Sequence, residues 1–387
     1  MLYFDTAATT PLADEVLASL VETLSTSEIF ANPSSIQHRF GQKAAETIAG
    51  ARLAIACELG CEANDIVFTS GATEANNMAL RGIALANVDK GRHLVISAIE
   101  HKTILECSAS LRREGFEITI IEPNRDGWIE PEHVAHALRP DTLLVSLMHT
   151  NNETGVKQPI AEVAQVAEDA GVLFHVDAAQ AAGKFKIDLR QTPIDLLSLS
   201  AHKFHGPKGI GCLVIPNRRH LRLTPLMYGG NQEFSLRPGT LPTHQIVGLA
   251  TALSLAAHRR ETDLAHVTDL KHQFLEKLCA TLPVRLHGDQ ILCSPYITNF
   301  SIDGIGADAL INQLSEGLAI SSGSACSSGT VEPSHVLRAM GLEGEDLYGA
   351  VRVSFGRDHT PMEIDTAVAR IVAAVARMRE LNQSATQ

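Results

Sequence analysis

Helical and strand-like patterns alternate along the first half of the chain, from about Gly41 to Ile215. In the helical segments, apolar residues recur every three or four positions, whereas the strand-like segments are short and almost continuously apolar. The pairs of helix and strand, in chain order, are QKAAETIAGARLAIACELG with DIVFTS, ATEANNMALRGIALANV with HLVISAI, TILECSASLRREG with FEITIIE, PEHVAHALRP with TLLVSLMHT, and IAEVAQVAEDAG with VLFHVDAA, before the apolar segments DLLSLSAHK and GIGCLVI. This alternation predicts an α/β fold in which helices cover both faces of a mostly parallel sheet.

The pattern changes after about Leu249. A long polar helix, DLAHVTDLKHQFLEKLCATL, is followed by the strands ITNFSID and AVRVSFG, which are mixed with helices. This mixture is typical of a smaller α+β domain, and the first residues of the chain are expected to pack with it. We therefore predict a large α/β domain over residues 15–255 and a small domain formed by residues 1–14 and 256–387.

Composition and charge narrow the classes of partner. The 387-residue chain is 45% apolar and 20% charged, as in a soluble globular protein, and its formal net charge is -12. Because the balance is acidic, neither nucleic acid nor an anionic membrane is expected as the main ligand. The N-terminus has no basic leader with a long apolar core, and no apolar run is long enough to span a bilayer, so we expect a cytoplasmic protein.

The cysteines and histidines give no pattern of a metal or disulfide site. The seven cysteines are widely scattered without a Cys-x-x-Cys pair, and the 17 histidines include no H-E-x-x-H. A disulfide framework and a zinc site are therefore not expected.

Polar residues repeatedly follow the apolar strands. A single Asp or Asn at a strand end is most often a helix cap, and a lone His is most often a structural or surface residue. Ligands of parallel sheets, however, bind where the carboxyl ends of several strands meet. We therefore expect one shared site at this edge of the sheet. Its candidate residues are Thr73, His101, Asn151, Asn152, Asp177, Gln180, Ser200, His202 and Lys203.

The combination of Asp177 with Lys203 indicates a cofactor. Pyridoxal phosphate forms a Schiff base with a lysine and needs a carboxylate near its ring nitrogen. The segment SGATEANN suits the phosphate, because a glycine-containing turn at a helix start offers backbone N–H groups and the Thr73 hydroxyl to an anion. Neither nucleotide-binding glycine motif follows the first strand. Lys208, in GPKGIG, is the rival for the Schiff-base lysine.

Seven motifs in order carry a family resemblance: NPSSIQHRFG, SGATEANN, AIEHKTILE, MHTNNETG, HVDAAQ, SAHKFHGPKGIG and SSGSACSSG. Together they resemble the pyridoxal-phosphate-dependent cysteine desulfurases of the nitrogen-fixation and iron–sulfur-cluster type, within the class V aminotransferases. The similarity extends from YFDTAATTP near the start to VRVSFGR near the end. It implies the fold-type-I architecture of these transferases and a homodimer.

The resemblance implies roles for the cofactor residues. Lys203 would hold the cofactor covalently and move the substrate Cα proton, Asp177 would pair with the pyridinium nitrogen, and Gln180 with the phenolic oxygen. His101 would stack on the ring and act as an acid and base. The other expected cofactor contacts are Ala72, Thr73, Asn152, Ser200, His202 and, from the second subunit, Thr240.

The resemblance also implies roles for the substrate residues. Asn152, preferred to Asn151 on the spacing within the family, and Arg352 would bind the substrate carboxylate, since the planar guanidinium fork suits a bidentate pair. Cys326, in the small polar run SSGSACSSG, would attack the sulfur of bound L-cysteine, leaving L-alanine and an enzyme persulfide. A thiol in a run of Ser, Gly and Ala has no apolar neighbours to bury it, unlike Cys107 or Cys212.

Two classes of alternative stay open at this point. On the same scaffold, the chain could be a selenocysteine lyase or an aminotransferase, although amino-group transfer requires no loop thiol. In another class, it could be a non-catalytic sulfur carrier or scaffold, although such a protein would be expected to lose Lys203. The sulfur acceptor, which could be an iron–sulfur scaffold or a sulfur relay protein, is not specified by the resemblance.

Overall fold

The computed structural model describes residues 1–322 and 333–385 of the chain. The strands are β1 (Leu2–Tyr3), β2 (Ile66–Thr69), β3 (His93–Ser97), β4 (Glu117–Ile121), β5 (Thr142–Met148), β6 (Leu173–Asp177), β7 (Leu196–Ser200), β8 (Gly211–Val214), β9 (Val284–His287), β10 (Ile297–Ile302), β11 (Leu318–Ala319) and β12 (Val351–Ser354). The α-helices are α1 (Asp14–Ser25), α2 (Arg39–Leu59), α3 (Ala72–Ala86), α4 (Lys102–Arg113), α5 (Pro131–Ala137), α6 (Ile160–Asp169), α7 (Thr243–Thr281), α8 (Ala307–Leu314), α9 (His335–Ala339), α10 (Gly344–Tyr348) and α11 (Pro361–Ala385).

A seven-stranded sheet forms the centre of the fold, in the order β2-β8-β7-β6-β5-β3-β4. Its neighbours are parallel except for β8, which is antiparallel to both β2 and β7. The predicted α/β fold with a mostly parallel sheet is therefore confirmed. Since β8 reverses direction between them, β2 and β7 still end at the same edge of the sheet.

The two faces of the sheet are buried by different helices. Consecutive strand residues point to opposite faces, so Val95 joins one hydrophobic cluster with α2 and α6, whereas Leu94 joins another with α3 and α4. The same division separates Val145 from Leu144. Burial on both faces explains why these strands are almost continuously apolar instead of alternating.

A third hydrophobic cluster packs the C-terminal part of the chain together with its first residues. It contains Phe4 with apolar residues of α8, β10, β12 and α11, and β1 pairs in parallel with β11. The helix α7 reaches both regions, since Ala256 lies in the first cluster and Val267 in the third. The predicted domain boundary between residues 255 and 256 falls inside this helix and stays a prediction.

In the described part of the chain, every helix is too short or too polar to cross a bilayer. The same residues contain no cluster of histidine, cysteine and acidic side chains suited to a metal ion.

Candidate active site

A cavity of about 660 Å³ opens where the carboxyl ends of β5, β6 and β7 meet the N-termini of α3 and α4. It is the shared strand-end site expected from the sequence. The predicted residues that line it are Ala72, Thr73, His101, Asn152, Asp177, Gln180, Ser200, His202, Lys203 and Arg352, and Lys208 lines it too. Thr240 lies elsewhere on the surface, and Cys326 lies outside the described residues.

Lys203 ends a short turn that directly follows β7. Its Nζ donates hydrogen bonds to the backbone carbonyls of Ala7, at 2.7 Å, and Ala8, at 2.9 Å. The pKa of Lys203 is lowered to about 8, first by burial and then by the nearby Arg352, against the opposing effects of Asp177 and Asp5. A substantial fraction of this amine is therefore neutral near physiological pH, as a nucleophile for an aldehyde must be.

Asp177 is the last residue of β6, and its carboxylate is buried at the cavity wall. One oxygen accepts a hydrogen bond from Asn76 Nδ2 at 2.7 Å, and the other accepts one from the backbone N–H of Ala179 at 2.9 Å. Asn76 Nδ2 also donates to Thr103 Oγ1 at 3.0 Å. These hydrogen bonds fix the buried carboxylate of Asp177 at the cavity wall, where it could pair with the protonated ring nitrogen of the cofactor.

Asn76 is a site residue that the sequence reasoning missed. It lies on α3 within the motif SGATEANN, so the motif itself was the available signal. Its Oδ1 is buried and has no hydrogen-bond partner among the described residues. Because an unpaired buried oxygen is costly, this wall of the cavity has an unmet capacity to accept a hydrogen bond.

The N-terminus of α3 forms one end of the cavity. The helix begins at Ala72, and the preceding Gly71 has a φ of 153°, where side chains are disfavoured. A Cβ on Gly71 would lie 3.4 Å from Ser200 Oγ, so this turn and the end of β7 approach closely. Backbone N–H groups of a helix start, with the hydroxyls of Thr73 and Ser200, form a suitable anion site.

His202 adds an uncharged donor at the same end of the cavity. Its Nδ1 lies 3.2 Å from Thr9 Oγ1. Burial, together with the positive charges of Lys203 and Lys208, lowers the pKa of His202 to about 4. The ring is therefore neutral at physiological pH and can offer a hydrogen bond without a charge.

His101 caps the N-terminus of α4 and also lines the cavity. Its Nδ1 accepts a hydrogen bond from the backbone N–H of Thr103 at 3.2 Å, so in the neutral ring the proton is on Nε2. Desolvation lowers the pKa of His101, and Lys203 lowers it further, while Asp177 opposes this shift. His101 thus caps a helix and lines the cavity, while its role toward the cofactor stays a prediction.

Arg352, on β12, reaches the cavity from the C-terminal part of the fold and is largely buried. Its guanidinium donates to Asp5 Oδ1 at 2.7 Å and to the backbone carbonyl of Asn152 at 2.8 Å, while its Nε has no partner among the described residues. Asp5 is a second residue that was missed. It lies in the motif YFDTAATTP, but a single acidic residue near a chain terminus carries no chemical signal by itself.

The structure distinguishes the two adjacent asparagines. The side chain of Asn151 is fully buried and occupied: its amide donates to the Ile99 carbonyl, and its oxygen accepts from the backbone N–H groups of Glu153 and Thr154. Asn151 therefore shapes the loop after β5. Asn152, by contrast, lines the cavity, which agrees with the preference for Asn152.

Glu100, which precedes His101 in the chain, is fully buried. Its carboxyl accepts hydrogen bonds from Ser97 Oγ at 2.7 Å and from the Met148 backbone N–H at 2.8 Å. The pKa of Glu100 is raised to about 8, chiefly by burial and with a further contribution from Asp177, against the opposing effect of the two hydrogen bonds. The backbone carbonyl of Glu100 lies 2.9 Å from His335 Nε2, and this contact joins the start of α9 to the wall of the cavity.

Comparisons with known proteins identify the family of the chain. Residues 2–366 match the family described as aminotransferase class-V. A cysteine desulfurase IscS of Azotobacter vinelandii is 43% identical over 381 residues, which is 98% of this chain and 94% of that protein. A solved NifS-like protein superimposes with a TM-score of 0.90 at 32% identity, covering 97% of this chain and 99% of that one. The solved structure of SspA in complex with cysteine gives 0.82 at 37% identity, covering 93% and 100%.

Proposed function

Because this chain belongs to the cysteine desulfurases within the aminotransferase class-V family, we propose that it converts L-cysteine to L-alanine and retains the sulfur on Cys326 as a persulfide. Enzymes of this family depend on pyridoxal phosphate. The observation that carries the proposal is the presence in one cavity of Lys203, with its lowered pKa, and the buried carboxylate of Asp177. The test is whether protein loaded with pyridoxal phosphate releases L-alanine from L-cysteine and gains sulfur.

The residues of the cavity fit this cofactor. The unpartnered Asn76 Oδ1 beside Asp177 marks a wall with unmet hydrogen-bonding capacity, and the absence of a side chain at Gly71 leaves room for an anion at the start of α3. We assign the phosphate to the start of α3, and the ring nitrogen to Asp177. When bound, the cofactor supplies an electron sink that weakens bonds at the substrate carbons. The phosphate contacts within this chain would be Ala72, Thr73, Ser200 and His202.

Two side chains are suited to move protons. Lys203 Nζ, released from the carbonyls of Ala7 and Ala8, can take the substrate Cα proton as a neutral amine, which its lowered pKa favours. His101 can donate through Nε2–H, because Nδ1 is engaged by Thr103. We therefore assign Lys203 as the base and His101 as an acid that stacks on the ring.

The sulfur transfer balances without an added oxidant or reductant. The Cys326 thiolate would form an S–S bond to the substrate sulfur while the substrate C–S bond breaks, and the electron pair of that bond stays with carbon. After this carbon gains a proton and the proton taken from Cα is returned by Lys203, the product is L-alanine, and the enzyme holds a persulfide. The thiolate form is required because a thiol is a poor nucleophile.

Arg352 and Asn152 are proposed to bind the substrate carboxylate. The guanidinium of Arg352 is already oriented by Asp5 and the Asn152 carbonyl, so substrate binding would cost little ordering of this side chain. Its planar fork suits a carboxylate better than a lysine ammonium would.

Replacement of Arg352 by lysine is expected to raise the KM for L-cysteine about 10- to 100-fold, since each factor of ten corresponds to about 1.4 kcal/mol of binding. Steady-state alanine formation measures this, with thermal unfolding as a check on folding. Arg285→Lys is the matched control, because Arg285 is exposed and pairs with Asp303 and Asp346. An unchanged KM in Arg352→Lys would remove Arg352 from the substrate site.

We propose that the enzyme acts as a homodimer through the exposed face of α1. Leu17, Val21 and Leu24 lie four and three residues apart on this helix and are each at least half exposed, which is unusual for a solvated helix face. Leu24 and Phe30 also line a surface cavity with Thr240. A second copy on this face would bring its own residues to Thr240, which supports the expected contact of Thr240 with the partner's phosphate.

The homodimer predicts that Leu24→Asp converts the wild-type dimer to a monomer and weakens binding of pyridoxal phosphate. A charge in the centre of an apolar interface is costly to bury without a partner. Sedimentation equilibrium and a cofactor titration on the same samples measure both effects. Ile291→Asp places the same charge at an exposed apolar residue elsewhere and should leave both unchanged. A monomeric wild type, or a dimeric Leu24→Asp, would contradict the interface.

We further propose that the persulfide sulfur passes to an acceptor protein, such as an iron–sulfur scaffold or a relay protein, in the cytoplasm. The relatives named IscS support transfer to an acceptor. The described cysteines are all free thiols, which fits a reducing compartment.

A further inference from the structure

Lys184 is a buried lysine beside the cofactor cavity that has no part in the proposed chemistry. It lies in the turn after β6, four residues after Gln180, and only 7% of its surface is exposed. Its Nζ donates a hydrogen bond to Gln180 Oε1 at 2.8 Å. Burying an ammonium group is unfavourable, so a buried lysine at this position is expected to have a structural or functional role.

The contacts of Gln180 determine which way its amide points. The amide lies between Lys184 Nζ and the Ala7 carbonyl, to which Gln180 Nε2 donates at 2.8 Å. An ammonium group can only donate, and a carbonyl can only accept. The amide oxygen must therefore point to Lys184 and the amide nitrogen to Ala7. Lys203 Nζ donates to the same Ala7 carbonyl, so the nitrogen of Gln180 is on the side of the Schiff-base lysine.

We propose that Lys184 is a positioning residue, which holds the Gln180 amide with its NH2 group toward the cavity, so that this position donates hydrogen bonds to the cofactor and does not accept them. The proposal rests on the proposed function, in which Gln180 contacts the phenolic oxygen of pyridoxal phosphate. Gln180 Nε2 has two hydrogens, and the Ala7 carbonyl takes one. The other can favour a negatively charged oxygen over a hydroxyl at that point.

The backbone before Lys184 is built for this contact. Gly183 has a φ of 76°, and a Cβ there would lie 2.7 Å from Phe204 Cβ, so a larger residue would displace the turn. Lys184 Nζ also lies 5.4 Å from the centre of the Tyr296 ring, within the range of a cation–π contact. Lys184 is therefore fixed by its turn, an aromatic face and one hydrogen-bond acceptor.

The surroundings of Lys184 make its protonated form less favourable than it would be in water. Burial, together with the positive charges of Lys203 and Arg352, lowers its pKa to about 7. As the pH rises through this value, Lys184 loses its charge, and the amide loses its strongest orienting partner. The charged and titratable groups around Lys184 are Lys203, Arg352, His205 and Tyr296, with Asp263 and Arg357 in the same small cavity.

A double-mutant cycle tests the proposal. Lys184→Met removes the donor at similar volume, and Gln180→Leu removes the amide. If Lys184 acts through Gln180, Lys184→Met should raise the dissociation constant of pyridoxal phosphate about 10-fold in the wild-type background, but less than about twofold in the Gln180→Leu background. Equilibrium dialysis of the apoproteins with pyridoxal phosphate measures this without any turnover. An equal loss in both backgrounds, or no loss in either, would overturn the proposal.

Two further measurements separate positioning from folding. Lys271→Met removes another buried lysine, which donates to the carbonyls of Ser294 and Ile297, and should leave the dissociation constant unchanged. The pH midpoint of the visible absorbance of bound cofactor should shift in Lys184→Met and Gln180→Leu, but not in Lys271→Met. An unshifted midpoint in Lys184→Met would also count against the proposal.

The cycle remains informative if Lys184→Met does not fold. The double variant removes both buried polar partners together, which is better tolerated than leaving one unpaired, and it must match Gln180→Leu alone within about twofold. The wild-type dialysis separates this inference from the proposed function. Failure of wild type to bind pyridoxal phosphate would refute the proposed function, whereas binding that Lys184→Met leaves unchanged would refute only the role of Lys184.

Discussion

Lys203→Ala is expected to abolish the visible absorbance of bound pyridoxal phosphate and to reduce alanine formation at least about 1,000-fold, which corresponds to about 4 kcal/mol in the barrier. The variant removes the amine that we assign both to the covalent bond with the cofactor and to proton transfer at the substrate. It also leaves the carbonyls of Ala7 and Ala8 without this donor. Absorbance spectra and alanine assays on the same protein samples measure the two effects.

Lys208→Ala is the matched control for Lys203→Ala. Lys208 lines the same cavity and is the rival lysine of the sequence, but it is exposed, whereas burial holds the pKa of Lys203 at about 8. The spectrum of Lys208→Ala should therefore remain close to wild type. Loss of the band in Lys208→Ala, but not in Lys203→Ala, would exchange the two assignments.

The pKa of Lys203 also predicts the direction in which the rate of cofactor loading changes with pH. The neutral amine attacks the aldehyde, so the loading rate should rise with pH and level off above about 8. Asp177 holds the pKa up and Arg352 holds it down. The midpoint should consequently fall in a variant that removes the charge of Asp177, and rise in one that removes the charge of Arg352.

Much of the fold could be predicted because its signals are local. The helices α3, α4 and α6 have continuous periodic patterns, and the strands β3 and β5 between them are buried on both faces. The long helix α7 was only partly predicted, since it begins at Thr243, well before the polar segment that carried the prediction. The first half of α7 packs in the hydrophobic core beside the large sheet. Its sequence is therefore apolar and alanine-rich, and it lacks the polar positions by which a surface helix is recognised.

The site was predicted where a side chain carries its own chemistry, and missed where partners come from far along the chain. Asp177 and Lys203 could be predicted because few other residue types can pair with a pyridinium nitrogen or form a Schiff base with pyridoxal phosphate. The two carbonyls that hold Lys203 belong to Ala7 and Ala8, and an alanine backbone gives no sequence signal. Asp5 meets Arg352 across 347 positions of the chain, so only the folded structure could bring out that pair.

Cys326→Ser is expected to eliminate the persulfide and to lower alanine formation at least about 100-fold, or about 2.7 kcal/mol in the barrier. Serine has nearly the same size, but its hydroxyl does not supply the thiolate nucleophile that the sulfur transfer requires. Mass spectrometry after a brief incubation with L-cysteine should find a sulfur-sized gain on the wild-type peptide that contains Cys326. The same peptide of the variant should show none.

The other cysteines provide the controls for this experiment. Burial raises the pKa of Cys61 to about 12 and of Cys107 and Cys293 to about 11, and raises that of Cys212 as well, so these thiols are poor nucleophiles. Cys57 and Cys279 are the exposed thiols among the described cysteines. If sulfur were merely released and captured by accessible thiols, Cys57→Ser and Cys279→Ser would lose as much label as Cys326→Ser. A gain confined to Cys326 would instead assign the transfer to that residue, whereas alanine formation unaffected in Cys326→Ser would indicate lyase chemistry without a protein thiol.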